Sequence, residues 1–262
     1  MSDRSTARDD DPSLFYTGLV AELYDPLVSE RARARDYLPF LERSGTPALE
    51  LGCGTGRPLL ELAALGYDVD GLDASPDMLA RCREAAREQG LEVNLYHARM
   101  QDFALPRRYR SIFLAGASFT LLTSDAEARR ALGCMRAHLL PGGSVLIPLE
   151  TVDAAAVRAE LGRFRETGGA GGTRLRCAVV AVDCSADGRD VARRLRYERR
   201  WPDGRVEVLE RVWRTRSWPQ AAFARLLDES GFESIRMRSR DGGPAASDAP
   251  VFVALARAGA AR

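Results

Sequence analysis

Apolar positions along this chain follow two different periods. At Ala48–Leu51, Tyr67–Leu72, Leu91–His97, Tyr109–Ala115 and Ser144–Leu149 they form short, nearly unbroken runs, several of them bounded by glycine or proline. Runs of that length suit strands buried on both faces of a parallel sheet. Helix signals fill the intervals. Ser75 precedes Pro76 as an N-cap for a helix to Gln89 that Gly90 stops, and Ser124 with Glu127 marks a capping box for a helix reaching Leu140. Pro58 suits the first turn of the helix after the first run, and Pro141-Gly142-Gly143 turns the chain into the fifth. Strand and helix alternate, which predicts an α/β fold with a doubly wound sheet.

The pattern changes at both ends of this region. Leu14, Phe15, Gly18, Leu19, Ala21 and Leu23 lie at mostly helical spacing behind the start signal Asp11-Pro12, so Ser13 to Tyr24 reads as a lid helix interrupted by Asp25 and Pro26. A second helical stretch ends at Ser44-Gly45. Beyond Glu150 comes a helix near Asp153 to Leu161 and a glycine-rich loop from Gly168 to Gly172. Three strand-like runs follow, Thr173 to Asp183, Asp190 to Arg200 and Val206 to Thr215, the last two joined by a turn at Asp203-Gly204. A helix from Pro219 to Ser230 leads into Phe232 to Ser239 and Val251 to Ala256, which suit an antiparallel hairpin at the edge of the main sheet. The expected organisation is lid helices over 1–45, an α/β core of 46–150 and 217–262, and an inserted antiparallel sheet over 151–216.

Composition narrows the chemistry. All 38 basic residues are arginine, so a lysine Schiff base or lysine general base is excluded. The two histidines, His97 and His138, leave little room for a metal cluster or a histidine triad, and no metal is expected. Five cysteines without a Cys-x-x-Cys pair point to reduced thiols. A polar N-terminus, a net charge of +1 and apolar runs far short of a membrane span predict a soluble cytoplasmic protein with no membrane partner. Arg189 to Arg216 hold ten arginines with Tyr197, Trp201 and Trp213, which raises nucleic-acid binding as an alternative. Acids interleave there, and Val191, Leu195 and Tyr197 alternate with charged residues, so a half-buried sheet is the better reading and no nucleic-acid partner is expected. The oligomeric state is open, a homo-oligomer included.

The first strand ends in Leu49-Glu50-Leu51-Gly52-Cys53-Gly54-Thr55-Gly56-Arg57, and Asp73 closes the second, 21 positions after Gly52. One strand-helix-strand step imposes about that spacing on a ribose-binding acid. A dinucleotide fingerprint needs Gly-x-Gly-x-x-Gly; its last place falls on Arg57 or Leu59 here, so the nucleotide is of another class.

The Glu-x-Gly-x-Gly-x-Gly turn resembles that of the class I S-adenosylmethionine-dependent methyltransferases, above all bacterial small-molecule N-methyltransferases of antibiotic and amino-sugar biosynthesis. The resemblance implies a Rossmann-like sheet and S-adenosylmethionine as cofactor. The turn, Gly52, Cys53, Gly54 and Gly56 with Glu50, would hold the methionine part, and Asp73, beside Ala74 and Met78, the ribose. Where the family has Gly-Asp-Met after the third strand, this chain has Ala98-Arg99-Met100, leaving adenine to the Met100 or Gln101 backbone and giving Arg99 a place to stack. Ala115 to Phe119 matches the segment lining methyl transfer. Tyr24, from Tyr24-Asp25, is implied at the cofactor, with Tyr16 and Phe119 at a small-molecule acceptor. Glu150 ends the fifth strand at the same sheet edge, where it could accept from a substrate ammonium or hydroxyl. Scarce histidine and absent lysine favour nitrogen over an oxygen needing a strong base. An O-methyltransferase, a nucleic-acid methyltransferase and a non-methylating relative such as a cyclase are the alternatives.

Overall fold

The computed structural model describes residues 15–27 and 32–259. In chain order the regular elements are α1 (Leu19–Leu27), α2 (Leu38–Ser44), β1 (Ala48–Leu51), α3 (Leu59–Ala64), β2 (Val69–Asp73), α4 (Pro76–Glu88) and β3 (Leu95–His97). Next come β4 (Tyr109–Leu114), α5 (Asp125–His138), β5 (Leu139–Glu150), α6 (Ala154–Arg158), β6 (Phe164–Gly168), β7 (Arg174–Cys184), β8 (Asp190–Arg200) and β9 (Val206–Arg216). The chain closes with α7 (Gln220–Glu229), β10 (Phe232–Arg238) and β11 (Val251–Ala258). These elements divide into two compact units, residues 32–151 with 217–259, and residues 15–27 with 152–216. Residues 32–45 therefore belong with the core, and only the preceding segment groups with the inserted sheet.

The larger unit holds a seven-stranded sheet of order β10-β11-β5-β4-β1-β2-β3, in which β1 pairs in parallel with both β2 and β4. Alternation along β1 explains why both faces are covered. Leu49 and Leu51 pack with Ala128 and Leu132 of α5 and Phe223 of α7, whereas Ala48 packs with Phe40 of α2, Leu59 of α3 and Leu79 of α4. The β10–β11 hairpin closes the sheet antiparallel against β5, as the sequence predicts. Strand order reverses about β1, so the turns after β1 and β4 flank a crevice at the carboxyl edge. Two strand lengths differ from expectation. β3 is an edge strand paired only over Leu95–His97, and β5 begins at Leu139, taking in the Pro141-Gly142-Gly143 turn.

The smaller unit is a four-stranded antiparallel sheet, order β6-β7-β8-β9, with α1 packed on one face. Phe15, Leu19, Val20, Leu23 and Leu27 meet Leu175 and Tyr197 there. The helix differs from the expected one. Its start signal and residues up to Leu14 lie outside the described residues; Gly18, at φ 55°, turns the chain into α1 at Leu19, and Pro26 lies in the last turn without ending it. β6 has no counterpart in the sequence pattern, since four of its five residues are exposed.

Candidate active site

The glycine turn after β1 has the backbone its sequence demands. Gly52, Gly54 and Gly56 take φ values of 70°, 55° and 96°, a region L side chains rarely adopt. They serve different ends. A Cβ on Gly56 would lie 2.8 Å from the Leu60 side chain and 2.9 Å from the Cys82 sulfur, so this glycine lets the turn pack on α3 and α4. A Cβ on Gly54 would meet nothing within 4 Å, which leaves the space beside its α-carbon open to a ligand. A Cβ on Gly52 would stand 3.4 Å from the Ser118 hydroxyl, so the turns after β1 and β4 touch.

Asp73 ties this turn to the next loop. One carboxylate oxygen accepts the Gly54 amide and the other accepts the Ser75 amide, each at 2.8 Å. Burial raises the carboxyl above its ordinary range, and the bonds from Ser75 and Gly54 oppose that rise. Ser75 also caps α4, its hydroxyl accepting the Met78 amide at 3.1 Å. The Ala74 carbonyl accepts from His97 Nε2 at 3.0 Å, which places the ring proton on that nitrogen and gives His97 a structural task. His138 is likewise committed: its Nε2 accepts the Leu105 amide and its Nδ1 donates to the Cys134 carbonyl.

Glu50 is fully buried, and neither oxygen meets a donor at hydrogen-bonding geometry among the described residues. Burial pushes its carboxyl well above the usual range, Cys82 and Asp73 add to the rise, and the Leu59 amide only partly offsets it. A buried carboxyl without a donor is costly unless it is protonated or a ligand supplies one. Cys53, also buried, has its thiol held up by a hydrogen bond to Cys82 and by burial.

The remaining expected residues divide by environment. On the loop after β3, Arg99 is exposed and Met100 and Gln101 are half-buried. Met78 is buried at 2% exposure and contributes its amide to the Ser75 cap. Ala115 and Glu150 are half-buried at the carboxyl ends of β4 and β5. Phe119 requires correction. Its ring is 0% exposed and stacks edge-on against Trp218 at 5.9 Å and Phe223 at 5.1 Å, so it is a core residue with no face turned to a ligand.

Tyr16 and Tyr24 belong to the smaller unit. Their rings meet edge-to-face at 5.5 Å, although Tyr16 precedes the helix and reaches Tyr24 through the bend at Gly18. Both line a cleft of about 530 Å³ between α1 and the antiparallel sheet.

With the geometry in place, comparison with known proteins decides the class. The sequence of residues 48–143 matches the methyltransferase domain family. This segment is a methyltransferase domain. It holds the glycine turn, Asp73 and the loops after β3 and β4.

The chain is 36% identical over 146 residues to dTDP-3-amino-3,6-dideoxy-alpha-D-glucopyranose N,N-dimethyltransferase of Streptomyces fradiae, covering 52% of this chain and 55% of that protein. It is 31% identical over 137 residues to dTDP-3-amino-3,4,6-trideoxy-alpha-D-glucopyranose N,N-dimethyltransferase of Streptomyces venezuelae, covering 48% and 55%. The chain thus spans about half the length of these curated relatives. The solved structure of the CcbJ methyltransferase from Streptomyces caelestis matches 95% of this chain and 99% of its own with a TM-score of 0.74 at 21% identity, which shows the fold. Ser118, inside the Ala115 to Phe119 segment, is brought beside Gly52 by the sheet order, a neighbour that its place in the sequence does not announce.

Proposed function

We propose that the protein is a cytoplasmic S-adenosylmethionine-dependent methyltransferase that methylates the nitrogen of a small molecule in the biosynthesis of an antibiotic or another secondary metabolite. The observation that carries the cofactor assignment is the Asp73 carboxylate, fixed by the Gly54 and Ser75 amides at the carboxyl edge where the strand order reverses. When bound, S-adenosylmethionine supplies an electrophilic methyl group on a sulfonium sulfur. Asp73 would hold its ribose hydroxyls, the glycine turn its methionine part, and the Met100 or Gln101 backbone its adenine. The orphaned Glu50 carboxyl fits a ligand that brings a donor to this turn. Following the resemblance, we assign Tyr24 to the cofactor and Tyr16 to the acceptor, and Glu150 joins the acceptor by its place at the end of β5.

Nitrogen is favoured because the two histidines are both engaged in backbone contacts and no lysine exists to act as base. A neutral amine needs only placement, and proximity alone is worth up to about 7 to 11 kcal/mol. The two Streptomyces relatives, both N,N-dimethyltransferases by name, point the same way. A small acceptor is favoured over nucleic acid because, among the described residues, at least seven of the ten arginines between 189 and 216 form ion pairs with carboxylates of the protein itself. All five cysteines are free thiols, in keeping with a reducing compartment.

Incubation with methyl-labelled cofactor and a panel of small amines, phenols and acids tests the reading. Mass spectrometry should place the label on nitrogen, and the rate should rise with pH until the bound amine is neutral and then level off. A methyl group found on oxygen or carbon overturns the nitrogen assignment.

A further inference from the structure

We propose that the cleft of the smaller unit binds an organic anion with a flat apolar body. The site does not depend on the methyltransferase reading. Its volume, about 530 Å³, lies within the range of small-molecule sites. Phe15, Tyr16, Tyr197 and Trp213 give the walls an aromatic character suited to a planar body.

The charge comes from where the arginines fall. Arg165 on β6 pairs with Cys177 on β7, Cys177 with Tyr197 on β8, and Tyr197 with Leu209 on β9, so all four side chains project from one face of the sheet. That row is the one α1 covers, since Cys177, Tyr197 and Leu209 belong to its apolar cluster. Arg165 thus ends an apolar row with a guanidinium. Arg163 lines the same cleft just before β6, and Arg193 is the third arginine in its wall.

These three cations are not equivalent. Arg193 is buried and already neutralised, its Nε lying 2.8 Å from Glu160. Neither Arg163 nor Arg165 has a carboxylate within ion-pairing distance among the described residues, although the neighbouring strands pair their arginines repeatedly. The cleft therefore carries two uncompensated guanidinium groups beside an aromatic wall. Two forked donors of that kind suit a carboxylate, sulfonate or phosphate, and the rings suit the body that bears it.

Calorimetry on the full chain with 2-naphthoate and 2-naphthamide, which share a shape and differ in charge, tests the proposal. Naphthoate should bind about tenfold more tightly than the amide, the range expected for hydrogen bonds to a charged group. The double variant Arg163→Gln/Arg165→Gln should erase that preference, and Arg163→Lys/Arg165→Lys should restore part of it. Arg205→Gln, which removes a cation outside the cleft, should leave the preference intact. Both replaced arginines are exposed, so an unchanged melting temperature verifies that the variants fold. Equal affinity for the two ligands, failure of both to bind, or a preference that survives the double glutamine variant would overturn the proposal. S-adenosylhomocysteine titrated into the same samples separates the two readings: if it binds while naphthoate shows no preference, the anion inference alone fails.

Discussion

Glu50 sits at 0% exposure on β1 with both oxygens lacking donors, and the pH dependence of stability should show it. Its carboxyl is raised well above 4.5 in the folded protein. Below the unfolded value the group is protonated in both states and costs nothing. As pH rises past about 4.5, the unfolded chain releases the proton while the folded one retains it, so stability falls towards the folded pKa. Glu50→Gln should therefore raise the melting temperature at neutral pH and flatten its slope between pH 4.5 and neutrality; a variant melting lower than the parent at pH 7 contradicts this. The two acids at the turn were legible in different degrees. Asp73 announces itself by its spacing from Gly52 and by the Ser75-Pro76 cap behind it, whereas the sequence says nothing of Glu50's isolation. Phe119 was legible as an aromatic after β4 but not as core, because Trp218 and Phe223 are brought to it only by the packing of α7.

At the scale of elements, the glycine turn separates binding from packing. Gly54→Ala introduces a Cβ that meets no protein atom, at the cost of a left-handed backbone, while Gly56→Ala drives one into Leu60 and Cys82. Gly56→Ala should lower the melting temperature markedly more than Gly54→Ala, and Gly54→Ala should weaken S-adenosylhomocysteine binding beyond what its modest loss of stability explains. Equal effects on melting would remove this division of labour. Strands buried on both faces were readable as apolar runs, and β8 and β9 began where alternation and the Asp203-Gly204 turn placed them. β6 was not readable. Phe164, Arg165, Glu166 and Gly168 are exposed, so no apolar alternation marks a strand held mainly by its ladder to β7. The start of α1 was misplaced for a related reason: Phe15 and Tyr16 have helical spacing but take their places through the bend at Gly18.

For the whole molecule, the sequence gives the alternating core correctly but divides the N-terminal segment differently from the structure, which groups residues 15–27 with 152–216 and residues 32–45 with the core. The reason is burial. Phe40 and Leu41 of α2 pack on the same layer as Leu59 and Leu79, a contact that no local pattern announces. The central claim is that the larger unit binds S-adenosylmethionine through Asp73 and the glycine turn. Calorimetry with S-adenosylhomocysteine and with NAD, on the parent protein and on Asp73→Ala, tests it most directly. The account predicts that S-adenosylhomocysteine binds, that NAD does not, and that Asp73→Ala weakens binding by about 1.5 to 3 kcal/mol, as loss of charge-assisted hydrogen bonds requires. Binding of NAD without S-adenosylhomocysteine, or an affinity indifferent to Asp73→Ala, would contradict it.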